Sequence, residues 1–316
     1  MDKLPNEQFR KLIEFINETR KDKSKKIYND KVLRKIDWNA YNQSQINDSL
    51  ESLIFIKETV DNCIDPPIKV GKPLTNPKTL TKAILICELF GLTERKAQGF
   101  IELFGEKAGI NEKLDDRTIG DAYEKKEIAF ILRQVFELTK DSDGRLSGDG
   151  TGLETSRRQN YGEDKTSTKE FLTSIVDSRE IIQAFDFSGK DECMAMHSLI
   201  KEVNGDSLRL DAGFNDRKLV EEIVKIGMLP YIYPKKNNIL NGKDSWKEMY
   251  FEFMIDIIGW LREYYQRVHS ESFHSSFKRV FGIIRKTRSH SKFIQILARI
   301  ILHNRARLSY FKRING

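Results

Sequence analysis

At Gly144 the hydrophobic spacing of this chain changes. Before it, apolar residues recur every three or four positions, as on amphipathic helices. After it come short runs of strand-forming residues separated by turns. Strands are expected at residues 145–148, 171–176 and 181–187, the last two joined by the hairpin-type turn Asp177-Ser178-Arg179-Glu180. An amphipathic helix over 192–203 follows, then a strand at 208–210, a helix at 218–226 and a strand at 229–233. Residues 246–284 read as helix with an interruption near Gly259. The order is β-β-β-α-β-α-β-α. Consecutive strands favour antiparallel neighbours and β-α-β crossovers favour parallel ones, so the spacing predicts a mixed α/β sheet.

The residues ahead of Gly144 read as all-helical. Helices are expected at 6–20 and 44–59, closing at Asp65-Pro66-Pro67, with 69–76 as a linker carrying prolines and a glycine. Residues 79–90 then open a compact module, with Leu80, Ile84, Leu85 and Leu89 at helical spacing and Gly91 as the stop. Thr93 is a candidate N-cap for a helix reaching Phe104, its apolar face made by Ala97, Phe100, Ile101 and Phe104. A short helix from Asp116 or Thr118 and another over 128–138 complete it. Short helices with tight turns suit a helix-turn-helix DNA reader, although any small helical bundle gives the same pattern. The expected division is a helical segment at 1–70, a helix-turn-helix-like module at 71–140, and a mixed α/β domain at 141–316 ending in basic helices.

Charge placement adds a partner class. From Lys278 onward the chain carries many Lys and Arg residues and not one Asp or Glu, within a total net charge of +7. Such a one-sided tail suits a polyanion; a solvated helix face is the plainer alternative. No apolar run is long enough to cross a membrane, and the first residues lack an apolar signal core, so a cytoplasmic protein is expected. Cys63, Cys87 and Cys193 are odd in number and scattered, which predicts neither disulfides nor a zinc site.

Three acidic residues stand where chemistry could be done. Asp149 follows the first expected strand in the turn Gly148-Asp149-Gly150-Thr151-Gly152, where glycines let a ligand approach the backbone. Asp211 ends the strand Leu208-Arg209-Leu210, the edge where open α/β sheets bind ligands. Each alone is also what an ordinary turn Asp looks like. On the long helix, Tyr264, Arg267, Glu271 and Lys278 fall on one face, and Phe273, Phe277, Val280 and Ile284 fall opposite as an inward apolar stripe. Carboxylates from two strands and a helix are a minimal cage for two divalent ions.

The residues resemble a known family. Tyr264, Arg267, Glu271 and Lys278 reproduce the Tyr-x2-Arg-x3-Glu-x6-Lys signature of one branch of the DDE transposases of bacterial and archaeal insertion sequences. Asp149-Gly-Thr-Gly and Leu-Asp211-Ala-Gly-Phe look like the family's first two acidic motifs, in order. The resemblance covers about residues 144–304 and, more loosely, 78–138. It implies a ribonuclease H-like catalytic core, with Asp149, Asp211 and Glu271 as catalytic ligands of two Mg²⁺ (or Mn²⁺). Tyr264, Arg267 and Lys278 would contact phosphates near the transposon end. It implies cleavage at terminal inverted repeats, transfer of the 3′-hydroxyl into target DNA, and a homodimer that pairs two ends. Only 60 residues separate Asp211 from Glu271, too few for the strand-rich insertion of some relatives. His269, His274, His290 and His303 are expected to face solvent or DNA, since a two-metal site needs no His base. A nuclease on the same fold and an inactive, DNA-binding descendant are the competing readings.

Overall fold

The computed structural model describes residues 6–29, 36–67, 75–158, 167–189 and 191–315. In chain order the helices and strands are α1 (Asn6–Asn29), α2 (Trp38–Asp61), α3 (Pro77–Leu89), α4 (Glu94–Phe104), α5 (Asp116–Ala122), α6 (Lys126–Leu138), β1 (Arg145–Arg158), β2 (Ser167–Val176) and β3 (Ile182–Asp186). They continue as α7 (Glu192–Leu199), β4 (Ser207–Leu210), α8 (Arg217–Lys225), β5 (Leu229–Ile232), α9 (Asp244–Ile255), α10 (Ile257–Tyr264), α11 (Val268–Phe281) and α12 (Ser289–Asn315). Among the described residues no helix is long and apolar enough to cross a membrane. The expected linker lies mostly outside the described residues, as does the polar stretch before Ser167.

The strands form one mixed sheet in the order β3-β2-β1-β4-β5. β2 and β3 are antiparallel, whereas β1, β4 and β5 run parallel. The α/β class and the order of elements follow the reading of the sequence, but β1 does not. It runs straight through Asp149 to Arg158, where a turn was expected. The Asp-Gly preference for turns is local, and ladder hydrogen bonds to neighbouring strands outweigh it.

The chain divides into two compact units, Met1–Ile36 with Ser142–Thr151 and Phe171–Phe273, and Asp37–Asp141 with Gly152–Glu170 and His274–Gly316. In the first unit, α1 buries Phe9, Ile13 and Ile16 in the apolar cluster that also holds Leu146, Leu208, Leu210, Met249, Tyr250 and Phe253. Each such side chain contributes about 1.5–3 kcal/mol, enough to fasten a helix that lies far from the sheet in sequence. Asn6 and Asn17 extend that anchorage: Leu240 N donates to Asn6 Oδ1 at 2.9 Å, and the Tyr233 hydroxyl to Asn17 Oδ1 at 2.9 Å.

The second unit is built around α3, whose residues Thr79 to Glu88 are all buried. α12 packs against α2, α3 and α6, and it is buried from Ile294 through Arg305. Much of the basic C-terminal stretch is therefore packed and ion-paired, not a solvated helix face. Arg299 pairs with buried Glu88 at 2.7 Å, Arg305 with Asp48 and Glu51, and Arg313 with Glu51. Ahead of these, Lys286 pairs with Glu94, Arg288 with Glu124 and Lys292 with Glu170. Most of the cationic charge is neutralised inside its own unit by acids supplied from earlier in the chain.

Candidate active site

Register brings the first two carboxylates together. Ser147 pairs with Arg209 and Gly148 with Leu210 across the parallel β1–β4 ladder, so Asp149 and Asp211 are the next residues of adjacent strands. Side chains alternate along a strand, and these two share the face of Ser147 and Arg209. Gly148 has no room for a side chain: a Cβ there would lie 2.6 Å from Leu210 Cδ2 and 2.7 Å from Met196 Cε. A Cβ on Gly150 would lie 2.3 Å from Glu192 Oε1. The glycines that read as turn formers instead let α7 and its Glu192 lie close to β1.

Glu192 is the acidic residue that sequence reasoning missed. It begins α7, half-buried, and its carboxyl is pushed up by burial and then by the charges of Asp191 and Asp211. Asp149 is more strongly affected. Burial, aided by Asp211 and Glu192, raises its carboxyl to about 6, against the opposing effects of the Gly150 N–H and Arg267. Three like charges thus sit within electrostatic reach at one edge of the sheet. A chain glycine placed against a helix-opening acid was the available signal, but only the tertiary packing joins the two.

The long helix expected over 246–284 is three helices. α9 ends at Ile255, and Asp256 Oδ1 accepts the Gly259 N–H at 2.9 Å to start α10. After Tyr264 a 3₁₀ turn, Tyr265–Arg267, intervenes before α11. A 3₁₀ turn winds about 120° per residue instead of 100°, so the four signature residues do not keep the single face of one α-helix. Tyr264 is buried at 4% exposure, stacked on Trp260 with centroids 5.5 Å apart and packed against Tyr233. Its expected place on a phosphate-facing surface is corrected, because its ring completes the core of the first unit. Of the apolar stripe, Phe273, Phe277 and Ile284 are buried, but Val280 is 67% exposed. Ile284 lies beyond α11 in a single bridge to Thr155.

Arg267 and Glu271 do belong to the acidic cluster. Arg267 Nη2 donates to Glu271 Oε1 at 2.5 Å. Burial works against the guanidinium charge, yet Tyr264, Glu271, Asp211 and Asp149 together hold its pKa above the ordinary value. Two tethers fix this turn over the sheet. Buried Arg209 donates through Nε to the Glu263 carbonyl at 2.8 Å and pairs with the Glu263 carboxylate. Ser147 Oγ donates to the Gln266 carbonyl at 3.4 Å. Lys278 falls in the second unit, where it is exposed. His274 and His303 are buried at 6% and 7% exposure, which corrects the expectation that they face solvent or DNA.

The donor set of Asp149, Asp211, Glu192 and Glu271 is all hard oxygen, and it fits a divalent cation of the Mg²⁺ class. Burial is the main cause of the raised Asp149 carboxyl, with Asp211 and Glu192 adding to it, and added positive charge would relieve it. The three expected ligands do not form a closed cage. Among the described residues, the group of three ligand atoms lying within 4.8 Å of one another is Cys193, His197 and Asp216. Glu271 is the outlying member of the triad, held by Arg267. Compared with protein-family models, curated proteins and solved structures, the chain matches none.

Proposed function

We propose that this chain is a metal-dependent DNA transposase of the DDE type. The observation that carries the reading is the register-matched pair Asp149 and Asp211 on parallel strands, crowded by Glu192 and balanced by Arg267. The strand order β3-β2-β1-β4-β5 supports a ribonuclease H-like core, and the motif spacing supports the family. Two Mg²⁺ (or Mn²⁺), held by Asp149, Asp211 and Glu271, would activate the attacking oxygen at a DNA phosphodiester and stabilise the leaving one.

The residues divide the remaining work. Asp149 lies in β1 and Asp211 directly follows β4, one residue beyond the paired Gly148 and Leu210. Glu271 must leave Arg267 to bind metal, which frees the guanidinium to grip a flanking phosphate in bidentate fashion. Glu192 adds negative charge to the same edge. Lys278 would hold a further phosphate. The duplex partners would be the terminal inverted repeats and target DNA, bound by a homodimer. The helices α3 to α6 would supply a helix-turn-helix-like reading surface in a nucleoid-associated protein.

A nuclease without strand transfer is the second reading. The burial of Tyr264 favours it, since one signature residue is spent on the core, and so does the fourth carboxylate. Cleavage of a labelled duplex bearing a terminal repeat tests both. Mg²⁺-dependent nicking at the repeat end, abolished by EDTA and by Asp149→Asn, is the expected result. Strand transfer of the nicked end separates transposase from nuclease. Binding without cleavage at any metal concentration would leave only the inactive descendant.

A further inference from the structure

A second cluster of metal-ligating side chains lies in the first unit, built from residue types unlike those of the acidic site. Cys193 and His197 are one turn apart on α7, and Asp216 is the N-cap of α8. Their ligand atoms all lie within 4.8 Å of one another. His197 Nε2 is 3.3 Å from Asp216 Oδ2, and Cys193 Sγ is 4.0 Å from the same oxygen. The other Asp216 oxygen, Oδ1, accepts the Lys218 N–H at 2.8 Å, so the cap holds the carboxylate with Oδ2 turned to the Cys and His.

Glu222, on α8, settles the orientation of the ring. Its Oε2 is 2.8 Å from His197 Nδ1. A carboxylate on Nδ1–H is the arrangement that directs the other imidazole nitrogen at a metal and raises its basicity. In that tautomer Nε2 presents a lone pair to Asp216 Oδ2, acceptor against acceptor, unless something positive stands between them. A second ring proton could do this too, with the Cys193 thiol donating to the same oxygen at 4.0 Å. A metal ion uses all three groups.

We propose that Cys193, His197 and Asp216 bind one Zn²⁺-class transition-metal ion, with Glu222 as the positioning residue and water in the fourth place. Bond lengths near 2.3 Å to sulfur and about 2.0–2.2 Å to nitrogen and oxygen put tetrahedral ligand atoms roughly 3.3–3.8 Å apart, close to the separations present. Sulfur and nitrogen donors select zinc or cobalt over magnesium, so this centre is chemically distinct from the all-oxygen edge at Asp149. Half-exposed Cys193 and His197 leave an entry path. The ion fastens the first turn of α7, and hence Glu192, to the start of α8.

Titration of the metal-free full chain with Co²⁺ tests the site without any DNA or activity assay. One equivalent is expected to produce a near-ultraviolet thiolate-to-cobalt charge-transfer band, displaced by Zn²⁺ and insensitive to excess Mg²⁺. Cys193→Ser is expected to remove the band, and His197→Gln to weaken binding, both with an unchanged far-ultraviolet dichroism spectrum. Glu222→Gln is expected to keep the spectrum and weaken binding by about 10–100-fold. Absence of the band in the wild-type protein overturns the proposal whatever the variants do. A band that survives Cys193→Ser also overturns it, by moving the metal to another thiol.

Discussion

The two units treat charge in opposite ways. At the sheet edge of the first, Asp149, Asp211 and Glu192 are gathered with like charge beside like, and burial raises Asp149 to about 6. In the second, the cations of α12 and the segment before it meet acids one by one, as Arg299 meets Glu88 and Arg305 meets Asp48 and Glu51. Paired charges of opposite sign hold helices in register. Crowded charges of one sign lower the stability of the fold that carries them, and such a cost is what functional sites show. The contrast separates two groups of charged residues that look alike in composition: removing a member should harm function in one unit and folding in the other.

The largest effect expected is on chemistry. Glu271→Gln keeps the shape of the side chain but makes a poorer metal ligand, so cleavage should fall on the order of 10³-fold or more while DNA affinity holds. Its half-exposed pair with Arg267 contributes little to stability, and the thermal midpoint should stay nearly constant. Retained nicking by this variant would remove Glu271 from the site. The mirror experiment is Glu88→Ala in the second unit. Glu88 accepts from Tyr123, Gln295 and Arg299 at 2.9, 2.9 and 2.7 Å, all buried. Its loss strands a buried guanidinium and should cost about 3–5 kcal/mol in urea unfolding. Pairing it with Arg299→Met should recover much of that loss, and no recovery would mean that the charge pair is not what holds α12.

These contrasts also mark how far the sequence could be read. The element order and the position of Asp211 at the end of β4 were legible, because alternation and strand length are local properties. The continuation of β1 through Gly150 was not, since the reason lies in its neighbours in the sheet. Tyr264 was misplaced because one 3₁₀ turn changes which face follows, and nothing in Tyr265-Gln266-Arg267 announces that turn. The basic tail looked unpaired because its partners, Asp48, Glu51, Glu88, Glu94, Glu124 and Glu170, lie more than a hundred residues earlier. For the same reason scattered cysteines hid the Cys193 cluster, whose third member comes from the next helix.

Acid should sharpen the comparison from the second unit's side. Burial, with the Lys278 charge one turn away, lowers His274 from 6.5 to about 3. Between those values the unfolded chain binds a proton that the folded chain does not. Stability therefore rises with pH across this window and is lost as pH falls from about 6.5 toward 3, by at most about 1.4 kcal/mol per unit. His274→Gln should flatten that slope in chemical unfolding measured at stepped pH. An unchanged slope would assign the acid sensitivity to carboxylates elsewhere.

The smallest stability change, and the most diagnostic, is expected at Gly150→Ala. The new methyl would meet Glu192 at Oε1, 2.3 Å away, and at its neighbouring carbons. Glu192 is a flexible side chain at a half-exposed position, so it can swing aside, and the fold should lose about 1 kcal/mol or less. What moves is the fourth carboxylate, and with it part of the crowding on Asp149. If Glu192 serves the site, metal-dependent cleavage should fall while the unfolding midpoint hardly shifts. Glu192→Gln, which leaves the geometry and removes the charge, should reproduce the loss. If Gly150→Ala instead unfolds the protein and leaves residual activity per folded molecule intact, the glycine serves packing of α7 alone, and the crowding at the sheet edge has no share in the chemistry.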